Sequence, residues 1–248
     1  MFLKLKEIIK RIDNKYLKNS LKIFWNKIHK TDIRKFKSNS FATIKIQKYK
    51  KLDYWNNFFT HIVNNKLEGD IIECGVGNGF TLSLILYNLI KNKNKFIDKK
   101  KYIGFDSFEG FPEASQYDFS PRNLQKGDSN FNSIEFVKQN LKRIGFSEIE
   151  IEENVIFKKG FFEKTFNDFH CDKISLLHLD CDLYESYKIS LNKYYPKVVK
   201  NGIIVFDEYI EDKVKWPGAA KAIDEFFKNN SKEIVQDDLT KKFYYIKT

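Results

Sequence analysis

The feature that most restricts the fold is a regular alternation of short apolar segments with helical patterns after Gly69. Five segments are typical of strands: DIIEC (70–74), KYIGF (101–105), NVIFKK (154–159), ISLLHL (174–179) and GIIVF (202–206). Apolar spacings of three and four residues predict helices over 81–91, 133–143, 185–199 and 219–229. This alternation indicates βαβ units and a mainly parallel sheet with helices on both faces.

Both ends of the chain add elements to this pattern. EIVQ (233–236) and KFYYIKT (242–248) are separated by a polar turn, which predicts a closing antiparallel hairpin and a total of seven strands. A helical stretch over about 44–67 carries Leu52, Trp55 and Phe58 on one side and leads into the main domain. We therefore expect an N-terminal helical extension over 1–68 and an α/β domain over 69–248.

The net charge of +11 is concentrated in the first 50 residues, which hold 15 Lys and Arg against 3 Asp and Glu. The remaining 198 residues are almost neutral, with 29 basic and 30 acidic residues. A nucleic-acid enzyme more often carries a basic stripe across its catalytic domain, so the pattern disfavours a nucleic-acid partner.

The first 30 residues combine an apolar stripe with lysines on the other faces. One interpretation is a helical arm that packs on the body or on a second subunit, which favours a homo-oligomer. The alternative is a basic amphipathic helix that makes peripheral contact with an anionic membrane.

Targeting and redox signals are weak in this chain. No run of about 18 apolar residues is present, and charges interrupt the apolar residues at the N-terminus, so we expect a cytoplasmic protein. Cys74, Cys171 and Cys181 are odd in number and lack CxxC spacing, which predicts small buried residues rather than disulfides or a zinc finger.

The first candidate site is ECGVGNGF (73–80), which ends the first predicted strand and opens the following helix. Glycines there let the backbone turn tightly and approach a ligand closely, although a turn without a ligand would use them too. A dinucleotide fingerprint needs glycine at Phe80, so the pattern better suits a cofactor without a pyrophosphate, such as S-adenosylmethionine. The predicted cofactor-binding residues are Glu73, Gly75, Gly77 and Gly79.

The second predicted strand ends in FDSFEGFP (105–112). An acidic residue beside a glycine loop can accept hydrogen bonds from both hydroxyls of a ribose. Asp106 has this position, so we predict that Asp106 and Ser107 contact the cofactor. The competing interpretation is an aspartate that caps a turn or helix.

Four carboxylates follow the fourth and fifth predicted strands: Asp180 and Asp182 in HLDCDLYES (178–186), and Asp207 and Glu208 in FDEY (206–209). The carboxyl ends of adjacent parallel strands lie about 4.8 Å apart at one edge of a sheet, so these groups would converge. A divalent cation relieves such repulsion, and oxygen donors favour Mg²⁺, with Ca²⁺ or Mn²⁺ as alternatives, over zinc. The alternative is that some of these four groups are solvated carboxylates at strand ends or helix N-termini.

The other chemical signals are negative. The four histidines lack metal-ligand spacing, and His178 alternates with apolar residues of a strand, so we interpret it as a hydrogen-bonded core residue. The sequence contains neither GxSxG nor GxxxxGK[ST], which leaves hydrolase and NTPase functions without support.

Five segments over roughly 70–227 resemble the macrocin-type sugar O-methyltransferases, which act on deoxysugars of macrolide and aminocoumarin antibiotics. They are IIECGVGNGFT, YIGFDSFEGFPE, KGFFEKTF, the stretch from ISLLHLDCDLYES to FDEY, and WPGAAKAIDEFF. The resemblance implies a Rossmann-like class I methyltransferase fold and Mg²⁺-assisted methylation of a sugar hydroxyl by S-adenosylmethionine. The implied acceptor is a sugar or glycoside in the biosynthesis of a polysaccharide, a glycan or a glycosylated natural product.

The resemblance also implies residue roles. Asp180, Asp207 and Glu208 would bind the metal, and Asp182 would be the general base. The family usually has Asp-Asp-Tyr where this chain has Asp207-Glu208-Tyr209, and the longer glutamate affects how directly Glu208 binds the metal.

Three other functions are considered. The basic N-terminus suggests a methyltransferase of RNA or another nucleic acid, against which the neutral body and the lack of an NPPY-type motif count. A non-catalytic binding protein would keep the fold without metal dependence. A nicotinamide-dependent dehydrogenase is disfavoured by Phe80.

Overall fold

The computed structural model describes residues 50–130, 132–210 and 214–248. The helices are α1 (Lys50–Asn64), α2 (Phe80–Asn92), α3 (Ile134–Ile144), α4 (Glu148–Asn154), α5 (Phe162–Thr165), α6 (Tyr184–Tyr194) and α7 (Pro217–Phe227). The strands are β1 (Asp70–Cys74), β2 (Tyr102–Asp106), β3 (Val155–Lys159), β4 (Ile174–Leu179), β5 (Val198–Phe206), β6 (Val235–Gln236) and β7 (Phe243–Ile246).

The seven strands form one sheet in the order β3-β2-β1-β4-β5-β7-β6. Strands β1 to β5 run parallel, while β7 pairs antiparallel with both β5 and β6. The predicted α/β class and the closing hairpin are therefore confirmed. Because the chain proceeds outward in opposite directions from β1 and β4, their carboxyl ends form the crevice where ligands bind in open α/β sheets.

Alternating side chains of the strands build a core on each face of the sheet. Ile71 of β1 packs with buried residues of α1 to α4. Ile72 and Cys74 point to the other face and pack with residues of α6 and α7. Both layers are mainly apolar where they meet the sheet, and this packing fixes the positions of the strand ends that carry the polar groups.

Helix α1 shares the core of the first face, since Leu52, Trp55 and Phe59 pack among buried residues of α2 and β1. The predicted helix over 44–67 is thus observed over Lys50–Asn64. The predicted arm and apolar stripe of the first 30 residues lie outside the described residues. The division of the chain at residue 69 stays a prediction.

Some predicted bounds were wrong. The helix expected over 185–199 ends at Tyr194 and is followed by a 3₁₀ turn at Tyr195–Lys197. Pro196 explains this, because proline lacks an N–H and its ring clashes with the carbonyl of the residue four positions earlier in a helix. Val198 then starts β5, four residues earlier than expected. The short helices α4 and α5 have no counterpart in the sequence predictions.

The structure also shows the state of the cysteines and the length and polarity of the helices. All three cysteines are buried and free, as predicted. Over the described ranges, the helices are too short or too polar to cross a membrane.

Candidate active site

The glycine loop joins β1 to α2 in a left-handed backbone conformation. The φ angles of Gly75, Gly77 and Gly79 are 95°, 53° and 79°. A β-carbon on Gly75 would overlap the carbonyl oxygen of Asp180, and one on Gly79 would lie 2.6 Å from Cγ1 of Val137. Around Gly77, in contrast, a β-carbon would meet no described atom within 4 Å. Gly75 and Gly79 thus permit close packing, while Gly77 leaves open space for a ligand.

Asp106 holds the glycine loop across the end of β2. Its Oδ2 accepts hydrogen bonds from the N–H groups of Val76 and Gly77, both at 2.9 Å, and its Oδ1 accepts from the N–H of Phe108 at 2.8 Å. The hydroxyl of Ser107 donates to the carbonyl of Gly110 at 2.7 Å. Asp106 therefore acts as the turn aspartate of the competing interpretation, and it also faces the cavity described next.

A cavity of about 410 Å³ opens at the carboxyl ends of the strands. Six of the predicted site residues line it: Gly75, Gly77, Asp106, Ser107, Asp180 and Asp182. Sequence reasoning missed its apolar wall, which includes Phe108, Phe111, Phe161 and Phe162. The KGFFEKTF segment carries two of these phenylalanines and was the available signal.

Glu73 lies in the core rather than in this cavity. The side chains of Glu73 and His178 are 0% and 1% exposed, and the residues are direct neighbours on β1 and β4. Nδ1 of His178 lies 2.8 Å from Oε1 of Glu73, and the hydroxyl of Tyr102 donates to Oε2. Because carboxylate oxygens accept, Nδ1 is the donor. Burial alone would lower the pKa of His178, but the hydrogen bond to Glu73 and its charge raise it.

The four predicted carboxylates converge at the ends of β4 and β5. One ligand oxygen from each of Asp180, Asp182 and Glu208 lies within 4.8 Å of the other two. A ring nitrogen of His178 and carboxylate oxygens of Asp180 and Asp207 form a second such group, which shares Asp180. We call the four carboxylates the carboxylate cluster, and His178 lies beside it. In contrast, the neighbouring Glu185 is exposed and lies 3.8 Å from the amine of Lys188.

Crowding shifts the protonation of this cluster. Burial and the charge of Asp207 raise the pKa of Asp180 to about 7. Burial and neighbouring carboxylates also raise the pKa values of Asp182 and Glu208. Burial would raise the pKa of Asp207 as well, but Lys242 and His178 outweigh it and lower that pKa. The amine of Lys242 lies 2.8 Å from Oδ2 of Asp207.

The carboxylate cluster fits a divalent cation. Its members hold acidic oxygens together against their mutual repulsion, and a dipositive ion would stabilise their charged forms. The oxygen donors suit Mg²⁺. Oε2 of Glu208 already accepts from the hydroxyl of Tyr187 at 2.8 Å and from the N–H of Asp182 at 3.4 Å, which anchors the longer side chain.

Asp182 reaches the cavity through an unusual turn. Its φ angle is 62°, a left-handed conformation that aspartate tolerates better than most residues. The N–H of Leu183 closes the turn by donating to the carbonyl of Cys181 at 2.6 Å. Such backbone conformations cluster at functional sites, where surrounding contacts maintain them.

A group of aromatic residues, which we call the aromatic wall, extends from the lining residue Phe111 to Trp216. Phe111 lines the cavity and contacts Trp216, with ring centroids 5.9 Å apart, and the guanidinium of Arg122 lies 4.3 Å from the centroid of Trp216. Asp118 holds the connection between β2 and α3 against α6, because its Oδ1 accepts from the N–H of Tyr184 at 2.8 Å. The cavity thus has a glycine-lined side, an acidic edge and an aromatic wall.

The amino-acid sequence is similar to a known family and to characterised proteins. Residues 12–244 match the family model described as Macrocin-O-methyltransferase (TylF). The demethyldecarbamoylnovobiocin O-methyltransferase of Streptomyces niveus is 28% identical over 183 residues, which cover 71% of this chain and 65% of that protein. The mycinamicin III 3''-O-methyltransferase of Micromonospora griseorubida is 26% identical, with 73% of this chain and 72% of that protein covered. The chain thus spans slightly less than two thirds of the first relative.

Solved structures share the fold. The O-methyltransferase NovP superposes with a TM-score of 0.67 at 24% identity, covering 88% of this chain and 87% of its own. The calicheamicin methyltransferase CalS11 superposes with a TM-score of 0.64 at 19% identity, covering 98% and 90%. Both likenesses confirm the Rossmann-like methyltransferase fold.

Proposed function

The chain belongs to the TylF family of macrocin O-methyltransferases, and on that premise we propose that it transfers the methyl group of S-adenosylmethionine to a sugar hydroxyl with the assistance of Mg²⁺. The observation that carries the proposal is one cavity that is lined both by the glycine loop and by Asp180 and Asp182 of the carboxylate cluster. Gly75 and Asp180 both line it and are in direct backbone contact. A methyl donor on the loop and a hydroxyl on the cluster would therefore lie side by side.

The cofactor side is formed by the glycine loop and the end of β2. Gly77 leaves room for a ligand to approach the backbone, and Asp106 lines the cavity. A carboxylate has about four acceptor positions, and three N–H groups use part of them, so Asp106 can still accept from ribose hydroxyls. Glu73 and Gly79 do not line the cavity: Glu73 is buried beside His178, and Gly79 packs against Val137.

The acceptor side is formed by the carboxylate cluster and the aromatic wall. Asp180, Asp207 and Glu208 are the proposed metal ligands. A divalent cation, when bound, acts as a Lewis acid that lowers the pKa of a coordinated sugar hydroxyl and fixes its orientation. Asp182 lies at the same edge, so its carboxylate would take the proton from the hydroxyl as the methyl group transfers.

The relatives support a glycosylated acceptor. The Streptomyces niveus protein is named for a novobiocin precursor, and the Micromonospora griseorubida protein for a mycinamicin. Apolar sugar faces pack well on aromatic rings, and Phe111, which contacts Trp216, lines the same cavity as Asp182. We propose a sugar of a polysaccharide, glycan or glycosylated small molecule as the acceptor, in preference to nucleic acid.

The proposal is tested by calorimetric titration of S-adenosylhomocysteine into the full chain with Mg²⁺ present. Binding in the micromolar range is expected, since the product of the donor retains the adenosine that Asp106 would hold. Absence of binding to protein with a cooperative thermal transition would contradict the proposed cofactor. Asp180→Ala and Asp207→Ala then test the metal, because both variants should bind the product and lose methyl transfer.

A further inference from the structure

His178 has one engaged and one unengaged nitrogen. Its Nδ1 donates to Glu73, and within the described part of the chain Nε2 has no hydrogen-bond partner. The ring is 1% exposed, and one of its nitrogens lies within 4.8 Å of carboxylate oxygens of Asp180 and Asp207. Because Nδ1 is held by Glu73, Nε2 is the nitrogen that remains for the cluster.

The surroundings fix the orientation of this ring. Trp55 packs edge-on against His178, with centroids 5.2 Å apart and planes at 86°. Glu73 is itself held by the hydroxyl of Tyr102, so it cannot turn away from Nδ1 without losing two hydrogen bonds. The β1–β4 register makes Glu73 and His178 direct neighbours. The imidazole is therefore positioned by three buried side chains.

This arrangement matches the environment of metal-bound histidines. Such residues almost always donate their second ring N–H to a carboxylate or carbonyl, which sets the tautomer and leaves the other nitrogen free to bind metal. Here the donor bond exists, and a ring nitrogen lies within 4.8 Å of oxygens of the carboxylate cluster. Glu208, in contrast, has one oxygen occupied by Tyr187 and Asp182.

We propose that Nε2 of His178 is a ligand of the cation, together with Asp180 and Asp207, and that Glu73 is the residue that orients it. This inference rests on the cation site of the proposed function. It gives Glu73 a positioning role at the metal instead of a contact with the cofactor. It also predicts that the site accepts transition metals as well as Mg²⁺, because imidazole is a common ligand of transition metals while the carboxylates suit Mg²⁺ and Mn²⁺.

The direct test is electron spin-echo spectroscopy of the full chain loaded with Mn²⁺ and S-adenosylhomocysteine. A coordinated imidazole gives a nitrogen modulation, and uniform ¹⁵N-histidine labelling should convert it to the ¹⁵N pattern. Labelling separates histidine from nitrogens of the bound product and needs no variant. The signal should disappear in His178→Gln and persist in His170→Gln, whose side chain is exposed, and in His61→Gln, whose ring bonds the carbonyl of Asn201.

The role of Glu73 is tested by metal affinity. Glu73→Gln should weaken Mn²⁺ binding about 10- to 100-fold, as loss of such outer partners typically does, and leave the affinity for S-adenosylhomocysteine within about twofold. Unchanged Mn²⁺ affinity in folded Glu73→Gln would overturn its positioning role.

The remaining outcomes separate this inference from the proposed function. Tight Mn²⁺ binding without a histidine modulation in the labelled wild-type protein would overturn the ligand assignment and leave the methyltransferase proposal intact. Failure of the wild-type protein to bind Mn²⁺ at all would overturn both the ligand and the metal part of the proposed function. The product titration reports independently on the cofactor site.

Discussion

Gly75 lies directly against Asp180: a β-carbon on Gly75 would overlap the carbonyl oxygen of Asp180, and the N–H of Asp180 donates to the carbonyl of Cys74 at 2.9 Å. The first residue of the glycine loop and the first carboxylate after β4 are thus in backbone contact. Any change that separates them should disturb the cofactor side and the acidic edge of the cavity together.

Gly75→Ala is expected to destabilise the protein severely, because the added methyl group meets backbone that cannot move without breaking the β1–β4 pairing. Gly77→Ala is the matched control, with open space and a cost of about 1–2 kcal/mol for its left-handed conformation. Urea denaturation should show a far larger loss for Gly75→Ala. Equal stabilities of the two variants would contradict this contact.

Asp106→Asn should weaken binding of S-adenosylhomocysteine about 10- to 100-fold. Asparagine replaces one accepting oxygen by an N–H₂ group among three backbone donors, and a hydrogen bond to a charged group is worth about 1.5–3 kcal/mol. Calorimetry measures the change. Glu109→Gln, an exposed neighbour, should bind like the wild-type protein, and an Asp106→Asn variant with full affinity would argue against this role.

Asp182→Asn should lower kcat for methyl transfer about 10²- to 10⁴-fold, the usual contribution of a general base. The affinity for S-adenosylhomocysteine should stay the same. Asparagine tolerates the φ of 62°, so the fold should be retained. Steady-state kinetics with saturating donor give the result. A variant that turns over at the wild-type rate would remove Asp182 from the reaction.

Cation binding should strengthen as the pH rises. Burial and the charge of Asp207 raise the pKa of Asp180 to about 7, so below that pH a proton competes with the cation. Affinity for Mn²⁺ should increase through about pH 7 and then level off. Calorimetry in buffers with different ionisation enthalpies should detect proton release on binding. Affinity that is constant between about pH 6 and pH 8 would contradict a protonated cluster.

Much of the fold could be predicted because strand and helix patterns are local. ISLLHL is β4 residue for residue, and the carboxylates were recognised because they follow predicted strand ends. The helix over 185–199 was predicted too long because its apolar spacing continues through Pro196, where the backbone cannot.

Contacts between distant segments were not predictable. The motif pattern assigned Glu73 to the cofactor, but the β1–β4 register places it beside His178, 105 residues away in sequence. In the same way, the bond from Lys242 to Asp207 depends on how β7 pairs with β5. Neither register is encoded in the local spacing of apolar residues.

The central claim is methyl transfer to a sugar at a cation site, and its most direct test is a mass-spectrometric assay with methyl-labelled S-adenosylmethionine. The full chain is incubated with nucleotide-sugars, free glycosides, oligosaccharides and RNA, with Mg²⁺ or with EDTA. We predict that a sugar acceptor gains one labelled methyl group, that EDTA abolishes the transfer, and that added Mg²⁺ or Mn²⁺ restores it. Labelling of RNA alone, or sugar methylation that continues undiminished in EDTA, would contradict the account.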